Sequence, residues 1–433
     1  MNVLMLTPRF PFPPNRGDTL RSWHELEYLT RRHNVWLAGL NEHRPPESDI
    51  ARLRKICAAV AVFPRTSWRA LAGGLWSLLC GESLTQGYFH SDALNRTVRQ
   101  WTRAVRFDAV LTFTIAMASV AEEVRARRVL DMCDVDSCKW EAYARASRVP
   151  WRWLYRVEAA RLRRAERRGV RTHDVTLIVN QREHDKLQAV ADPRLSDVVH
   201  TCVELPAETR CTNTPRTPEM PAEPIVGFVG SMFYPPNVQG VNWFGREAWP
   251  RIKKRVPAAK WWIVGQRPTF AVRRWDRLQD VRVTGTVPDV NSLLDRMRVF
   301  ACPVRGDLGV QSKVLGALAA GKACVVTPDA AAGIDYDEPP FLIAQDAEEF
   351  AEAVTRLFVD DDLARELGAR GRQTIARRYR PETQLWRVER ALASVPARTD
   401  DARSRLEAET RIRNENVRRV LQHAAAEESK TRA

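Results

Sequence analysis

The sequence predicts an α/β protein built from two doubly wound parallel sheets, one in each half of the chain. Two observations carry this. Short, almost wholly apolar runs alternate with stretches bearing apolar residues at helical spacing, as buried parallel strands joined by helical crossovers require. The segment 204–223, ELPAETRCTNTPRTPEMPAE, is rich in proline and threonine and has no apolar period; the alternation restarts beyond it. A chain of 433 residues accommodates two domains of ordinary size.

In the first half, NVLML at 2–6 reads as a buried strand, followed by a proline-laden loop, TPRFPFPPNRGD, at 7–18. A helix is expected over 20–32, with Leu20, Trp23, Leu26 and Leu29 on one stripe. Further strands are expected at 35–40, 59–63, 109–113, 129–133, 176–180 and 197–201, with a helix at 47–58 and helical material elsewhere between them. The second half repeats the pattern. Strands are expected at 225–229, 261–264, 281–284 and 341–343, and helices at 238–254, 348–358 and 363–378. A last helix at 381–395 precedes a charged tail from 401, in which Leu406, Ile412, Val417 and Leu421 keep no heptad.

Composition sets bounds. Hydrophobic residues make up 44% and charged residues 28%, as in globular proteins with real cores. The net charge of +15 favours anionic partners, whether nucleic acid, anionic lipid or phosphorylated small molecules. No aromatic–basic RNA motif or recognition helix accompanies that charge, so nucleic acid is not expected as a partner. The eight cysteines are scattered, Cys133 and Cys138 being the nearest pair, without zinc spacing; they read as reduced, buried thiols. The most apolar segment, 70–80, is shorter than the roughly 20 residues a spanning helix needs. A soluble or peripheral cytoplasmic protein is expected.

The stretch 305–327, RGDLGVQSKVLGALAAGKACVVT, reads as a strand end, a glycine-bearing loop, a helix and the next strand. Arg305, Gly306 and Gly309 lie in the loop, and Gln311, Ser312 and Lys313 begin the helix. Helix N-termini carry unpaired N–H groups and partial positive charge, so they hold anions such as diphosphates. A lysine in a first turn is unfavourable for the helix itself. Lys313 therefore reads either as a plain surface residue or as a cation placed for an anionic ligand, with Arg305 as its partner. Gly17 follows the first strand, at the carboxyl edge where open α/β sheets bind ligands. Asp134 and Asp136 follow a strand and precede a helix. Either Asp136 or Ser137 caps that helix, or one carboxylate, Asp134 by its position, serves an acceptor hydroxyl. The spelling DVD at 134–136 raises a metal site; none is expected. Trp151–Arg168 is amphipathic, with Trp151, Leu154, Tyr155 and Leu162 on one face and Arg152, Arg156, Arg163 and Arg167 on another. With Trp68, Leu71, Trp76 and Leu78 it reads as a packed helix with a basic side or as a surface for anionic lipid.

Several motifs together resemble a known family. PRFPFPPNRGDTLRSWHELEYL, DVDSCKWEAYA, GFVGSMFYPPNVQGVNWF, WWIVG, VTGTVPDV and GVQSKVLGALAAGKACVV are similar, in this order, to a branch of retaining glycosyltransferase family four that includes exosortase- and exopolysaccharide-associated sugar transferases. The resemblance covers about residues 1–390. It implies the GT-B architecture: two Rossmann-like domains facing across a cleft, with a C-terminal return helix and, here, a charged tail. The implied boundaries are 1–203 on the acceptor side, a 204–223 linker, a 224–378 donor domain, the return helix at 379–396 and the tail at 397–433. The implied activity is retaining, hexosyltransferase-like transfer from a nucleotide diphosphate sugar to a growing glycan or lipid-linked acceptor, without cofactor or metal, at the inner face of the membrane. Asp134, Arg305 and Lys313 would be catalytic. Gly17, Gly230, Ser231, Arg267, Gly309, Gln311 and Ser312 would hold the donor. One departure stands out. Family members carry two glutamates eight residues apart, for sugar hydroxyls and ribose, where this chain has Leu308 and Gly316. That departure implies either ribose and sugar contacts from elsewhere or a weakened, even non-catalytic, nucleotide-sugar binder that scaffolds a partner transferase.

Overall fold

Every residue of the first strand, β1 (Asn2–Thr7), is buried, and its side chains divide between two cores. Val3 and Met5 pack with Leu26 and Leu29 on one face; Leu4 and Leu6 pack with Trp36, Leu94 and Val98 on the other. Such two-faced burial is what a continuous apolar run provides and an alternating one does not. The computed structural model describes residues 1–14, 17–65, 73–74, 76–193, 195–205, 221, 223–306 and 309–393. Most of the 204–223 linker and the whole 397–433 tail lie outside the described residues, as do Arg16, Trp68, Leu71 and Leu308.

The first sheet comprises β1, β2 (Asn34–Asn41), β3 (Ala59–Pro64), β4 (Ala109–Phe113), β5 (Arg127–Cys133), β6 (Val175–Ile178) and β7 (Ser196–Val198). Their order is β3-β2-β1-β4-β5-β6-β7, all parallel. The second sheet comprises β8 (Ile225–Val229), β9 (Lys260–Val264), β10 (Val281–Val283), β11 (Val299–Cys302), β12 (Ala323–Val326) and β13 (Leu342–Ile343), in the order β10-β9-β8-β11-β12-β13. Chain order reverses between β1 and β4 in the first sheet and between β8 and β11 in the second. Those two switch points open crevices at the strands' carboxyl edges, where doubly wound folds take ligands.

The helix expected at 238–254 runs as Pro235–Trp243, a π-turn Phe244–Ala248 and Trp249–Arg255. The first helix spans Gly17–Thr30, so Gly17 is its opening residue rather than a loop glycine. The C-terminal helix Pro381–Leu392 leaves the second half and packs on the first: Leu385, Val388, Ala391 and Leu392 join the core beneath β1. Burial of each leucine and of the valine contributes roughly 1.5–3 kcal/mol, and of the alanine less. Glu389 fixes that docking through Tyr28 (3.0 Å), Arg32 (2.9 Å) and His33 (3.1 Å).

The two halves meet behind the crevices. Asn180 Nδ2 donates to Gly333 O at 3.1 Å, the Gln181 N–H donates to Asp335 at 3.1 Å, and His200 lies 2.9 Å from the same carboxylate. The described cysteines are free thiols, and Cys80 is exposed rather than buried. Among the described residues no helix is long and apolar enough to cross a membrane.

Candidate active site

Three loops leave the two switch points: one after β1, one after β8 and one after β11. The β11 loop ends in the helix Ser312–Ala319, whose first turn carries Lys313. The Lys313 ammonium donates to Gln311 Oε1 at 2.7 Å and lies 5.8 Å from the Phe228 ring. It has no carboxylate partner among the described residues, and burial pulls its pKa below the usual lysine value. A half-buried ammonium without a counter-charge, at a helix N-terminus, is electrostatically costly to the protein alone and is relieved by an anion.

The β8 loop closes over this lysine. A Cβ built on Gly230 would stand 3.5 Å from Lys313 Cε and 2.8 Å from Asn237 Nδ2. Asn237 is buried and donates to Ser231 O at 3.0 Å; its Oδ1 has no hydrogen-bond partner among the described residues. Gln266 Nε2 reaches Ser231 Oγ at 3.5 Å. Gly265 must be glycine, because a Cβ there would lie 1.6 Å from Gly230 O. Beyond it Arg267 holds φ at 51° and places its guanidinium 4.6 Å from the Phe233 ring. Arg267, Pro268, Thr284 and Gly285 line a cavity of about 510 Å³ beside the loops after β9 and β10.

Across the crevice the predicted residues of the two halves meet. Gly309 adopts φ +68°, and a Cβ on it would sit 2.6 Å from Asp134 Oδ1. A Cβ on Gly17 would lie 3.6 Å from Ser312 Oγ. The structure thus gathers Gly17, Asp134, Gly309, Gln311, Ser312, Lys313, Gly230 and Ser231 around one space. Arg305 stands apart. Its guanidinium stacks 4.1 Å from the Trp243 ring and donates to Gln345 O at 3.0 Å, so it does not stand beside Lys313 as the expected second cation.

Burial pushes the Asp134 carboxyl up to about 7, with Glu183 adding to the rise and Lys139 opposing it. Asp136 is raised for the same main reason. Neither Asp136 nor Ser137 caps its helix. Instead Glu183 accepts from the Val135 N–H and Glu166 from the Ser137 N–H, both at 2.8 Å. The two aspartates are thereby released from a capping role. Lys139, which the sequence reading missed, is held charged: burial disfavours its ammonium, but Asp136 and Asp134 outweigh that and raise its pKa. Tyr143 lies one turn further on, and burial raises its hydroxyl, with Tyr234 of the β8 loop among the groups acting on it. The spacing of Asp136, Lys139 and Tyr143 at three and four residues was the available signal, since it aligns them on one helix face.

Arg21 contacts no cleft. It is buried, donating to Asp131 at 2.7 and 3.0 Å, with Glu25 3.3 Å away. Burial and the Asp131 charge hold Glu25 well above the ordinary carboxylate range. Thr114 (φ 65°), Cys133 (φ 62°) and Arg267 are the non-glycine residues with left-handed backbones among the described residues. All three stand at or just past carboxyl strand ends, where strain accompanies function. No group of three or more metal-ligating side chains occurs among the described residues.

Gly316 lies one turn past Lys313, and a Cβ there would meet nothing within 4 Å. The space for a longer side chain exists; the side chain does not.

Residues 223–360, which hold the β8, β9 and β11 loops, match the family described as glycosyl transferases group 1. No curated protein matches the chain. Among solved structures the chain is similar to HepE of Anabaena in complex with UDP, at 12% identity over 91% of this chain and 100% of that one, with a TM-score of 0.62. TarM is similar at 10% identity over 91% and 99%, TM-score 0.61. So is WaaG, a glycosyltransferase involved in lipopolysaccharide biosynthesis, at 14% identity over 91% and 100%, TM-score 0.58. The chain has the GT-B fold, and its second half carries the match to glycosyl transferases group 1.

Proposed function

We propose that the protein is a glycosyltransferase moving a sugar from a nucleotide diphosphate sugar to a glycan or lipid-linked acceptor, with retention of configuration, in the assembly of an exopolysaccharide or another cell-surface glycan. The observation that carries the reading is Lys313, a cation with no carboxylate partner among the described residues, at a helix N-terminus in the switch-point crevice. In the reaction the bond between the anomeric carbon and the diphosphate oxygen breaks, and the acceptor oxygen bonds to that carbon. Lys313, the Gln311 N–H and the Ser312 hydroxyl take up the charge growing on the diphosphate, where fixed donors count most. The glycine backbones at Gly17, Gly230 and Gly309 let the diphosphate approach. The nucleoside occupies the cavity lined by Arg267, whose size suits a base and ribose. Arg305 plays a lesser part, its guanidinium being taken up by Trp243 and Gln345. Asp134, in its ionised form, receives the acceptor's proton. No metal or cofactor enters this scheme.

The open space at Gly316 favours a second reading, a nucleotide-sugar binder that scaffolds a partner transferase. Release of nucleoside diphosphate from a panel of nucleotide sugars, with and without glycan acceptors, separates the two. Turnover with at least one donor is expected. Binding without turnover across the panel overturns the transferase reading and leaves the binder.

A further inference from the structure

The helices Asp136–Ala146 and Trp151–Thr172 form an antiparallel hairpin on the rim of the first half. At the root of this hairpin the sequence's amphipathic pattern is core: Leu162 is fully buried, Glu158 bonds the N–H groups of Leu84 and Thr85, and Arg163 pairs with Glu141. The tip differs. Val149 is 77% exposed, Trp151 58% and Trp153 69%, three large apolar side chains within five residues. The stretch 142–157, AYARASRVPWRWLYRV, contains Arg145, Arg148, Arg152 and Arg156 and no acidic residue. All four arginines are exposed. Among the described residues none of the four makes an ion pair, although Arg152 donates to Ser147 O at 2.9 Å.

We propose that this tip docks on an anionic lipid surface. Indole rings favour the headgroup zone because one edge is polar and the ring apolar, and valine adds a small insertion. Arginines around them meet anionic headgroups with no carboxylate paired to them among the described residues. Charge complementarity decides against a second copy of the chain: two such tips would set four uncompensated arginines against four more. The tip is also joined to the cleft by aromatic contacts. Trp151 lies 6.3 Å from Tyr155, Tyr155 lies 5.3 Å from Trp140 and 6.4 Å from Tyr143, and Tyr143 reaches Tyr234 of the β8 loop. Docking therefore brings the crevice mouth toward the membrane. The docking stands on the hairpin alone and does not depend on sugar transfer.

The test is co-sedimentation of the full chain with vesicles of phosphatidylcholine alone or with about a third phosphatidylglycerol, at low and high salt. Binding to the anionic vesicles, weakened by salt, is expected. Trp151→Ser with Trp153→Ser, and separately Arg148→Glu with Arg152→Glu, should each lower the partition coefficient about tenfold or more. These side chains are exposed, so both variants should keep the wild-type melting temperature. Equal binding to neutral and anionic vesicles, no binding to either, or binding untouched by both variants would overturn the proposal. So would a concentration-dependent dimer in sedimentation velocity that the tryptophan pair abolishes. Because no donor or acceptor is present, failure here leaves the transfer reading standing, and the reverse.

Discussion

Lys313 and Asp134 face each other's territory across the crevice with opposite problems: an ammonium with no counter-charge among the described residues and a carboxyl held partly neutral. For Asp134 the consequence is a pH dependence whose two halves run in opposite directions. Its folded-state pKa is about 7, against roughly 3.9 for a free aspartate. The native state therefore binds this proton more tightly than the unfolded chain. The stability it lends is full below about pH 4 and is lost as pH rises through 7. Ionised Asp134 is the form that accepts a proton, so turnover should climb over the window in which stability falls. In Asp134→Asn the loss of melting temperature between pH 4 and 8 should shrink and turnover should drop at every pH. A variant that keeps the wild-type pH–rate profile would remove Asp134 from the chemistry. The spacing of Asp136, Lys139 and Tyr143 was legible as one helix face, but the bearing of Tyr234 on Tyr143 was not, because Tyr234 comes from the other half of the chain.

At the scale of elements, the Ser312–Ala319 helix is where sequence and structure agree most closely. Its start, its strand neighbours and the place of Lys313 all follow from the run GVQSKVLGALAAGKACVV. Gly316 is the weak point. Glycine in a helix interior costs about 1 kcal/mol against a good helix former, and a Cβ here meets nothing. Gly316→Glu should therefore raise stability by about 1 kcal/mol in a denaturant titration. If the crevice holds a ribose, turnover or donor affinity should rise as well; unchanged values would mean that the ribose is held elsewhere. Strand β8 was legible to the residue, since Ile225–Val229 forms a strand whose run is nearly all buried. The contacts of Arg305 were not legible for a definable reason: its partners Trp243 and Gln345 come from distant stretches, and only the fold brings them to it. The docking of Pro381–Leu392 on the first half was likewise visible only through resemblance. Its Glu389, bonded by His33 first and then by Tyr28 and Arg32, is held down at about 2. A depressed carboxyl stabilises above its unfolded pKa and loses that contribution as pH falls through the folded one. Glu389→Gln should be less stable than wild type at pH 7, and the two should converge between about 4.5 and 2. Equal stability at pH 7 would show that the apolar face alone docks this helix.

At the scale of the whole molecule, two parallel sheets turn their switch points toward one another, and the hydrogen bonds of Asn180, Gln181 and His200 with Gly333 and Asp335 set the spacing. The two-sheet design was legible because most strands are short, apolar and bounded, β7 (Ser196–Val198) being a polar exception. The contacts across the crevice were not, because no local pattern encodes Asp134 against Gly309 or Gly17 against Ser312. Closure around a donor would exclude water and protect it from hydrolysis. A net charge of +15 raises the local concentration of anionic ligands, but it does so everywhere on the surface and cannot distinguish this crevice. Lys313 can. Calorimetric titration of nucleoside diphosphates, with the monophosphates as controls, into the wild type and Lys313→Ala tests this directly. The account predicts a diphosphate that binds the wild type well above its monophosphate and loses about a hundredfold or more in affinity in the variant, whose circular dichroism is unchanged. Equal affinity for both proteins, or no diphosphate bound at all, would contradict it.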